Sequence, residues 1–167
     1  DSIIRDKLKT LIINEEKTPG EVLTTEQDFT HNFFKDSNGN DICFRGRIDR
    51  VDKVDGKYIL LDYKLTGTSI KSVNRIKAGE ALQFPIYMGE YENMIKEISY
   101  INIDDGCRKS QIFFKDDNIF TEIMYAAEDK IKDIVKQMDE GLIPLTDNKN
   151  NCRYCQYTNL CKRFWND

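Results

Sequence analysis

Several features that define other protein classes are missing from this 167-residue sequence. No apolar run approaches the roughly 20 residues of a membrane span, and no signal peptide opens the chain, so we expect no membrane segment and no export. The net charge of -4 at pH 7 argues against a protein that holds nucleic acid through bulk electrostatics. Internal repeats and low-complexity segments are absent too, which excludes a repeat architecture.

An initial Met and an even cysteine count are also lacking. The chain begins at Asp1, from which we expect a fragment of a longer protein. Its five cysteines are an odd number, and three of them crowd the C-terminal end. In a cytosolic chain such clustering points to a metal more than to disulfides. The remaining composition, 40% hydrophobic and 32% charged residues, is typical of one soluble globular domain with its own core.

The strongest local signal is a β-hairpin around Asp55-Gly56, the dipeptide that best fits a two-residue type I′ turn. Strand-like runs cover residues 44–54 and 57–65 on either side. If these two residues form the loop, counting outward from the turn makes Asp49 face Asp62. Because side chains alternate along a strand, both acids share one face of the sheet with Lys64.

This register creates an electrostatic conflict. Directly opposed side chains have Cβ atoms roughly 4.5–5.5 Å apart, so the carboxylates of Asp49 and Asp62 repel each other. Two carboxylates at that separation are also the oxygen ligands that Mg²⁺ or Mn²⁺ needs, with waters filling the other positions. An exposed sheet face carrying salt bridges explains the hairpin pattern equally well. The hairpin alone leaves both interpretations open.

Apolar periodicity and turn residues predict the other elements. We expect helices over residues 2–14, 82–95 and 118–140, and strands over residues 21–34, 41–54, 57–65, 97–103 and 107–115. The strands from 21 to 65 form an antiparallel meander, and the whole is a mixed α/β (α+β) arrangement around a central sheet.

A group of basic residues follows the second hairpin strand. Lys71, Arg75 and Lys77 lie shortly after Lys64 and could meet DNA phosphate there. A solvated loop is the alternative interpretation of the same charges.

Three motifs and the cysteine tail occur in the order of a known nuclease family. They are G-R-I-D-R at 46–50, L-D-Y-K at 61–64 and Q-F-P-I-Y at 83–87. Over residues 26–161 the chain resembles the PD-(D/E)XK nuclease superfamily and its RecB-like branch. Within that branch it is most similar to the iron-sulfur nuclease domain of AddB-type subunits of helicase-nuclease complexes.

The resemblance implies a restriction-endonuclease-like core over residues 1–145 and a Cys-rich tail over residues 146–167 packed on that core. It also implies roles for six residues. Asp49, Asp62 and the backbone carbonyl of Tyr63 would bind Mg²⁺ or Mn²⁺, and Lys64 would be the catalytic lysine. Gln83 and Tyr87 match a Q-x-x-x-Y motif that positions the lysine and the DNA backbone; simple core packing is the alternative for Tyr87.

Two further side chains have weaker signals. Glu26 stands in the strand where relatives have a glutamate, either close to the metal ligands or only structural. His31 is the only histidine of the sequence, and we expect it to be a sheet residue rather than a metal ligand.

The tail places Cys152, Cys155 and Cys161 in a C-x2-C-x5-C pattern. Thiolates at such spacing can reach one metal centre. By resemblance they are ligands of a 4Fe-4S cluster. A structural Zn²⁺ is the alternative, and free thiols are a third possibility.

A fourth cluster ligand is missing where relatives supply it. Residues 1–42 contain no cysteine, and residues 1–14 contain no histidine, which relatives use at the catalytic metal. The other cysteines are Cys43, which we expect to be buried in its strand, and Cys107, near a turn. Both absences fit a chain cut upstream of the nuclease core.

The resemblance implies a metal-dependent DNA exonuclease that trims single-stranded ends. Its setting would be a helicase-nuclease complex for double-strand break repair and recombination, with a helicase-nuclease partner subunit, in a bacterial-type cytoplasm at the nucleoid. Two alternatives remain: a free-standing iron-sulfur nuclease of the CRISPR-adaptation type, and a non-catalytic DNA-end-binding module.

Overall fold

A computed structural model of the protein describes residues 2–15, 20–91, 94–142, 152–153, 155–157 and 161. The chain divides into two compact units, Asp1–Lys132 and Asp133–Asp167. The division predicted after residue 145 lies outside the described residues. None of the described helices is long and apolar enough to cross a membrane.

The predicted helices and strands all form, and the mixed α/β fold class is confirmed. The helix predicted over residues 82–95 is shorter than expected, because α3 covers Gln83–Tyr91 and Ile95 already belongs to β4. The helices are α1 (Ser2–Glu15), α2 (Val73–Lys77), α3 (Gln83–Tyr91) and α4 (Asn118–Asp139). The strands are β1 (Glu21–Lys35), β2 (Asp41–Val54), β3 (Lys57–Lys64), β4 (Ile95–Asn102) and β5 (Arg108–Phe114).

Helix α2 was not predicted. It has five residues, which is too short for a periodic apolar signal, and Ile76 is its one buried side chain. Its start is fixed by Ser72, whose hydroxyl accepts a hydrogen bond from the backbone N–H of Arg75.

The five strands form one sheet in the order β1-β2-β3-β4-β5. The pairs β1–β2, β2–β3 and β4–β5 are antiparallel, whereas β3 and β4 are parallel. A parallel pair needs a crossover connection, and here the crossover contains α2 and α3. The carboxyl ends of β3 and β4 therefore lie side by side.

The β2–β3 turn is the predicted type I′ turn. Asp55 and Gly56 have φ values of 52° and 78°, and this turn requires a positive φ at both positions. The register from Val54↔Lys57 outward is also as predicted, but the ladder ends at the pair Arg50↔Leu61. It stops one step before Asp49 and Asp62.

Both faces of the central strands are covered. Ile59, Leu60 and Leu61 follow one another in β3, and all three are buried, as in a strand packed on both faces. Leu60 belongs to the larger cluster, which includes Phe84, Tyr87 and Met88 of α3. Ile59 and Leu61 belong to a smaller cluster, against which Leu11 of α1 packs.

The far end of the β1–β2 hairpin is more open than its sequence pattern suggests. Cys43 is exposed, which corrects the expectation that it is buried. Strand β3 pairs with residues 50–54 of β2, so Cys43 lies beyond the part of the sheet that β3 and β4 shield. Cys107 is buried and lies at the turn before β5, as expected.

Candidate active site

The side chain of Asp49 contacts β3 just beyond the last pair of the β2–β3 ladder. Its Oδ2 accepts a hydrogen bond of 2.8 Å from the backbone N–H of Tyr63. The carboxylate thus supplies the acceptor that a continued β2 backbone would have offered to β3. Asp49 is half-buried here, and its charge acts on Asp62.

Asp62 is the most enclosed acid at this edge, with a residue exposure of 1%. Its Oδ1 accepts a 2.6 Å hydrogen bond from Gln83 Nε2. Its Oδ2 lies 2.6 Å from Lys64 Nζ, yet no described donor meets hydrogen-bonding geometry at this atom. The contact is an ion pair with poor alignment, so Oδ2 keeps acceptor capacity although it is buried.

Gln83 and Tyr87 connect the acid and the lysine to the sheet. Lys64 Nζ donates to Gln83 Oε1 at 3.0 Å, and Gln83 Nε2 also donates to Tyr87 Oη at 2.8 Å. The hydroxyl of Tyr87 in turn donates to the backbone carbonyl of Arg47 at 2.6 Å. The two α3 residues stand on one helical face, as their i, i+4 spacing predicts. The structure therefore joins Asp62, Lys64, Gln83 and Tyr87 in one polar chain.

An aromatic contact packs against Tyr87, the last residue of this hydrogen-bonded series. The ring of Phe29 meets that of Tyr87 edge to face, with centroids 5.6 Å apart. A Cβ at Gly46 would lie 2.7 Å from the Phe29 ring, so the glycine makes room for this packing. Neither Phe29 nor Gly46 was predicted to support the site, although Gly46 opens the G-R-I-D-R motif and a glycine inside a strand often marks a close approach.

Tyr100 is a further neighbour that the sequence did not reveal. It pairs with Asp62 in the parallel register, and the Lys64 ammonium lies 5.6 Å from its ring centroid. Its ring also stacks on that of Phe84, with the centroids 3.9 Å apart. Since no tight turn links β3 to β4, no residue count from a turn could have given this pairing.

Burial controls the protonation of the site. It raises the pKa of Asp62 above the usual 3.8; Lys64 opposes this rise and the charge of Asp49 adds to it. Burial also raises the pKa of the phenols of Tyr87 and Tyr100, to which the charge of Asp62 contributes. Both tyrosines therefore stay neutral at ordinary pH. For Asp62, burial makes the charged form less favourable than it is in water.

Comparison with known proteins identifies the family. The family model of the PD-(D/E)XK nuclease superfamily matches residues 4–162, nearly the whole chain. This protein belongs to the PD-(D/E)XK nuclease superfamily. Membership implies a nuclease, hence a hydrolase with DNA as its substrate, and nucleases of this superfamily typically use Mg²⁺ or Mn²⁺. The match identifies the superfamily but does not assign the chain to the iron-sulfur branch.

Other comparisons add little to this assignment. A solved structure described as the crystal structure of SSO0001 aligns with 96% of this chain and 70% of that chain, at 18% identity and a TM-score of 0.47. That similarity is too low to support any functional argument. Among curated proteins, none matches significantly.

The nuclease has oxygen donors that fit a hard divalent cation. Asp62 Oδ2 is buried with unused acceptor capacity, and Asp49 lies next to it. Mg²⁺ commonly binds through one or two carboxylates and keeps several waters. Within the described ranges, no group of three or more His, Cys, Asp or Glu side chains could hold a metal ion. The two carboxylates would therefore share the ion with waters or backbone oxygens; the carbonyl of Tyr63 stays a prediction.

Glu26 and His31 of the nuclease lie in β1. Glu26 has a φ of 52° within the strand, and its carboxylate lies 3.4 Å from Arg47 Nη1, at the exposed surface. Its contact is thus with Arg47 rather than with the polar chain at Asp62. His31 is a strand residue, as expected, and its Nδ1 lies 3.3 Å from Glu90 Oε2.

The predicted DNA-binding cations are mostly paired with acids. Arg75 bonds Glu80 at 2.6 Å, and Lys77 bonds Glu122. Lys71 takes no part in the ion pairs found among the described residues. A DNA-binding role for these cations stays a prediction, and their charge is already partly neutralised.

The cysteines of the tail are not assembled into a metal centre in the part of the chain that the structure describes. The backbone N–H of Cys155 donates to the carbonyl of Cys152 at 3.2 Å, which places them on one turn. Cys155 is exposed, and Cys152 and Cys161 are half-buried. The described thiols therefore give no structural support for a cluster, which stays a prediction.

Proposed function

We propose that this nuclease hydrolyses DNA phosphodiester bonds with Mg²⁺ or Mn²⁺ held by Asp49 and Asp62. The observation that carries the proposal is the buried oxygen of Asp62, which has acceptor capacity left and lies beside a second carboxylate and an ammonium group. When bound, the cation would lower the pKa of a water and polarise the phosphate. It would also remove the repulsion between the two acids.

We assign Lys64 as the catalytic residue that contacts the attacking water and the phosphate. Its side chain is 23% exposed, and its ammonium lies against Asp62 and Gln83. A cation at this position would orient the attacking water and stabilise the charge that grows on the phosphate oxygens. Because Gln83 and Asp62, the hydrogen-bond acceptor and the ion-pair partner of Lys64, are linked to each other by a hydrogen bond, the ammonium needs little reorganisation during the reaction.

Gln83 and Tyr87 act as positioning residues in this proposal. Gln83 spans Asp62 and Lys64, donating to the acid and accepting from the lysine. Tyr87 ties Gln83 to the β2 backbone at Arg47. The arrangement fixes the side chains of Asp62 and Lys64, which are neighbours on one face of β3, relative to each other.

A finer proposal concerns the biological setting. We propose an exonuclease acting on single-stranded DNA ends, within a helicase-nuclease complex for double-strand break repair and recombination in a bacterial-type cytoplasm. Its support is the order of the G-R-I-D-R, L-D-Y-K and Q-F-P-I-Y motifs and their resemblance to AddB-type subunits. Binding of a helicase partner subunit belongs to the same proposal.

The central test compares two lysine variants on the same sheet. Lys64→Ala should reduce Mn²⁺-dependent degradation of a single-stranded oligonucleotide by about 10²-fold or more, because it removes a charged donor at the reacting phosphate. Lys96→Ala is the matched control: Lys96 lies near the opposite end of β4 and pairs with Asp55 at 3.4 Å. Lys64→Ala that cleaves at the parent rate would contradict the mechanism. A parent that binds DNA without cleaving it would support the non-catalytic alternative.

For the tail we propose that Cys152, Cys155 and Cys161 bind a 4Fe-4S cluster with a ligand from elsewhere, or a structural Zn²⁺. The support is their C-x2-C-x5-C spacing. Visible absorbance together with iron and zinc analysis of the purified protein separates the two. Zinc without iron would defeat the cluster, and neither metal would leave free thiols.

A further inference from the structure

A buried ion pair lies on the face of β2 opposite to Asp49. Arg50 and Asp52 are 8% and 1% exposed. Arg50 Nε and Nη2 donate to the two carboxylate oxygens of Asp52 at 2.6 and 2.8 Å. Their register partners, Leu61 and Ile59, belong to the smaller hydrophobic cluster, so the pair stands among apolar side chains.

Stability does not account for such a pair. Desolvating two charges costs several kcal/mol per ion, and apolar residues of similar volume often give an equally or more stable protein. What a bidentate Arg–Asp pair does supply is a rigid guanidinium with one nitrogen still directed elsewhere. In this nuclease that nitrogen, Arg50 Nη1, lies 3.3 Å from the hydroxyl of Tyr63.

Tyr63 occupies a sensitive position. It stands between Asp62 and Lys64, beyond the last pair of the β2–β3 ladder, Arg50↔Leu61. On the side of β2, the regular backbone bonds are replaced by side chains of neighbouring residues. Asp49 accepts from the Tyr63 backbone, and Arg50 donates to the Tyr63 hydroxyl.

We propose that Arg50, fixed by Asp52, is a positioning residue for the active site. It holds the Tyr63 hydroxyl from the rear face of the sheet and so fixes the segment that carries Asp62 and Lys64 on the front face. The inference rests on the proposed function, which makes the placement of that segment matter. It assigns a use to a buried charged pair that takes no part in the reaction itself.

Tyr63→Phe is the most direct test, because it removes one hydroxyl and leaves the Arg50–Asp52 pair intact. We expect kcat to fall and Mn²⁺ binding to weaken, each by about 2- to 10-fold, the equivalent of one net hydrogen bond. KM for a single-stranded oligonucleotide should stay unchanged. Mn²⁺ affinity is measured by calorimetry without DNA, so it does not depend on turnover. Tyr58→Phe is the matched control, as Tyr58 lies near the other end of β3.

A second variant removes the pair without leaving a buried charge unpaired. Arg50→Met combined with Asp52→Leu should keep the melting temperature close to that of the parent. It should nevertheless show the same losses in Mn²⁺ affinity and kcat as Tyr63→Phe. Adding Tyr63→Phe to this double variant should change little more, since the contact is already gone.

The outcomes separate the two levels of the proposal. If the parent binds Mn²⁺ and cleaves DNA, and both sets of variants retain the parent affinity and kcat, the positioning role is overturned and the proposed function stands. A lower melting temperature in Tyr63→Phe with unchanged Mn²⁺ affinity also overturns it, because that is the result of a merely structural contact. A parent that neither binds Mn²⁺ nor cleaves DNA overturns the proposed function itself.

Discussion

Between its turn and Arg50, the β2–β3 hairpin is a regular ladder, whereas beyond Leu61 side chains replace the backbone pairing. The turn end is governed by neighbours in sequence: a type I′ dipeptide sets the register, and facing residues follow from it. The other end, which contains Asp49 and residues 62–64 and is called the open end below, is governed by distant segments. Gln83 of α3 and Tyr100 of β4 complete the surroundings of Asp62 there. Regular pairing gives the strand its stability, and its interruption provides the room for chemistry.

The largest expected effect contrasts the same substitution at the two ends. Asp62→Asn should reduce Mn²⁺-dependent DNA cleavage by about 10²-fold or more, because it removes a charged metal ligand and the partner of Lys64. Asp55→Asn keeps a residue that suits the type I′ turn and should leave the rate unchanged. Both are measured as initial rates on a labelled single-stranded oligonucleotide. If both variants lost cleavage rate equally, the proposed functional difference between the two ends of the hairpin would be wrong.

A smaller effect is expected from the residue that links the open end to α3. Gln83→Leu should lower kcat by about tenfold, since Lys64 loses its hydrogen bond to Gln83 and keeps only the ion pair with Asp62. Single-turnover cleavage measures this loss without interference from product release. Gln137→Leu is the control, because Gln137 bonds only locally to Asp133 among the described contacts of its side chain. An unchanged rate in Gln83→Leu would make the Gln83–Lys64 contact incidental.

The stability of the open end should depend on pH. The pKa of Asp62 is raised, so its charged form destabilises the fold, and this penalty appears as pH rises above the ordinary value of 3.8. When a chelator keeps the site free of metal, Asp62→Asn should raise the melting temperature at neutral pH by about 2–4 °C. This corresponds to a gain of roughly 1 kcal/mol in the free energy of unfolding. The gain should vanish at low pH, where Asp62 is protonated.

Thermal denaturation at several pH values tests this expectation. Mn²⁺ should raise the melting temperature of the parent more than that of Asp62→Asn. A variant less stable than the parent at neutral pH would mean that the Lys64 ion pair outweighs the burial of the charge.

The smallest effect belongs to the turn itself. Gly56 has a φ of 78° with open space around it, so Gly56→Ala meets no clash but adopts an unfavourable backbone conformation. We expect a loss of about 1 kcal/mol in stability and no change in cleavage rate. Urea denaturation and the oligonucleotide assay measure the two quantities. A loss of activity with retained folding would show that the turn and the open end are coupled.

Several parts of the site were predictable because they depend on short stretches of chain. The dipeptide Asp55-Gly56 fixed the turn, and the count from it gave the register from Val54↔Lys57 to Arg50↔Leu61, although the ladder ends before the predicted Asp49–Asp62 pair. The i, i+4 spacing placed Gln83 and Tyr87 on one face of α3. In these cases the relevant geometry is that of a single hairpin or a single helix, which local periodicity describes well.

Other parts escaped prediction because they depend on packing between distant segments. The exposure of Cys43 follows from where β3 stops pairing with β2, and the pairing of Arg75 and Lys77 with acids follows from the folded arrangement of α2. Helix α2 itself was missed because five residues carry too little periodicity.

By itself, the sequence determined the hairpin turn and the register of its ladder, and it predicted the acids Asp49 and Asp62 one step beyond that ladder, because a tight turn and strand alternation depend on neighbouring residues. Only the tertiary structure decided that the ladder breaks before those acids. It also decided that α3 enters beside them and that the Arg50–Asp52 pair reaches Tyr63 from the rear. The physical reason is that a parallel β3–β4 pairing and contacts across a sheet are set by packing over long chain separations, for which no local dihedral preference exists.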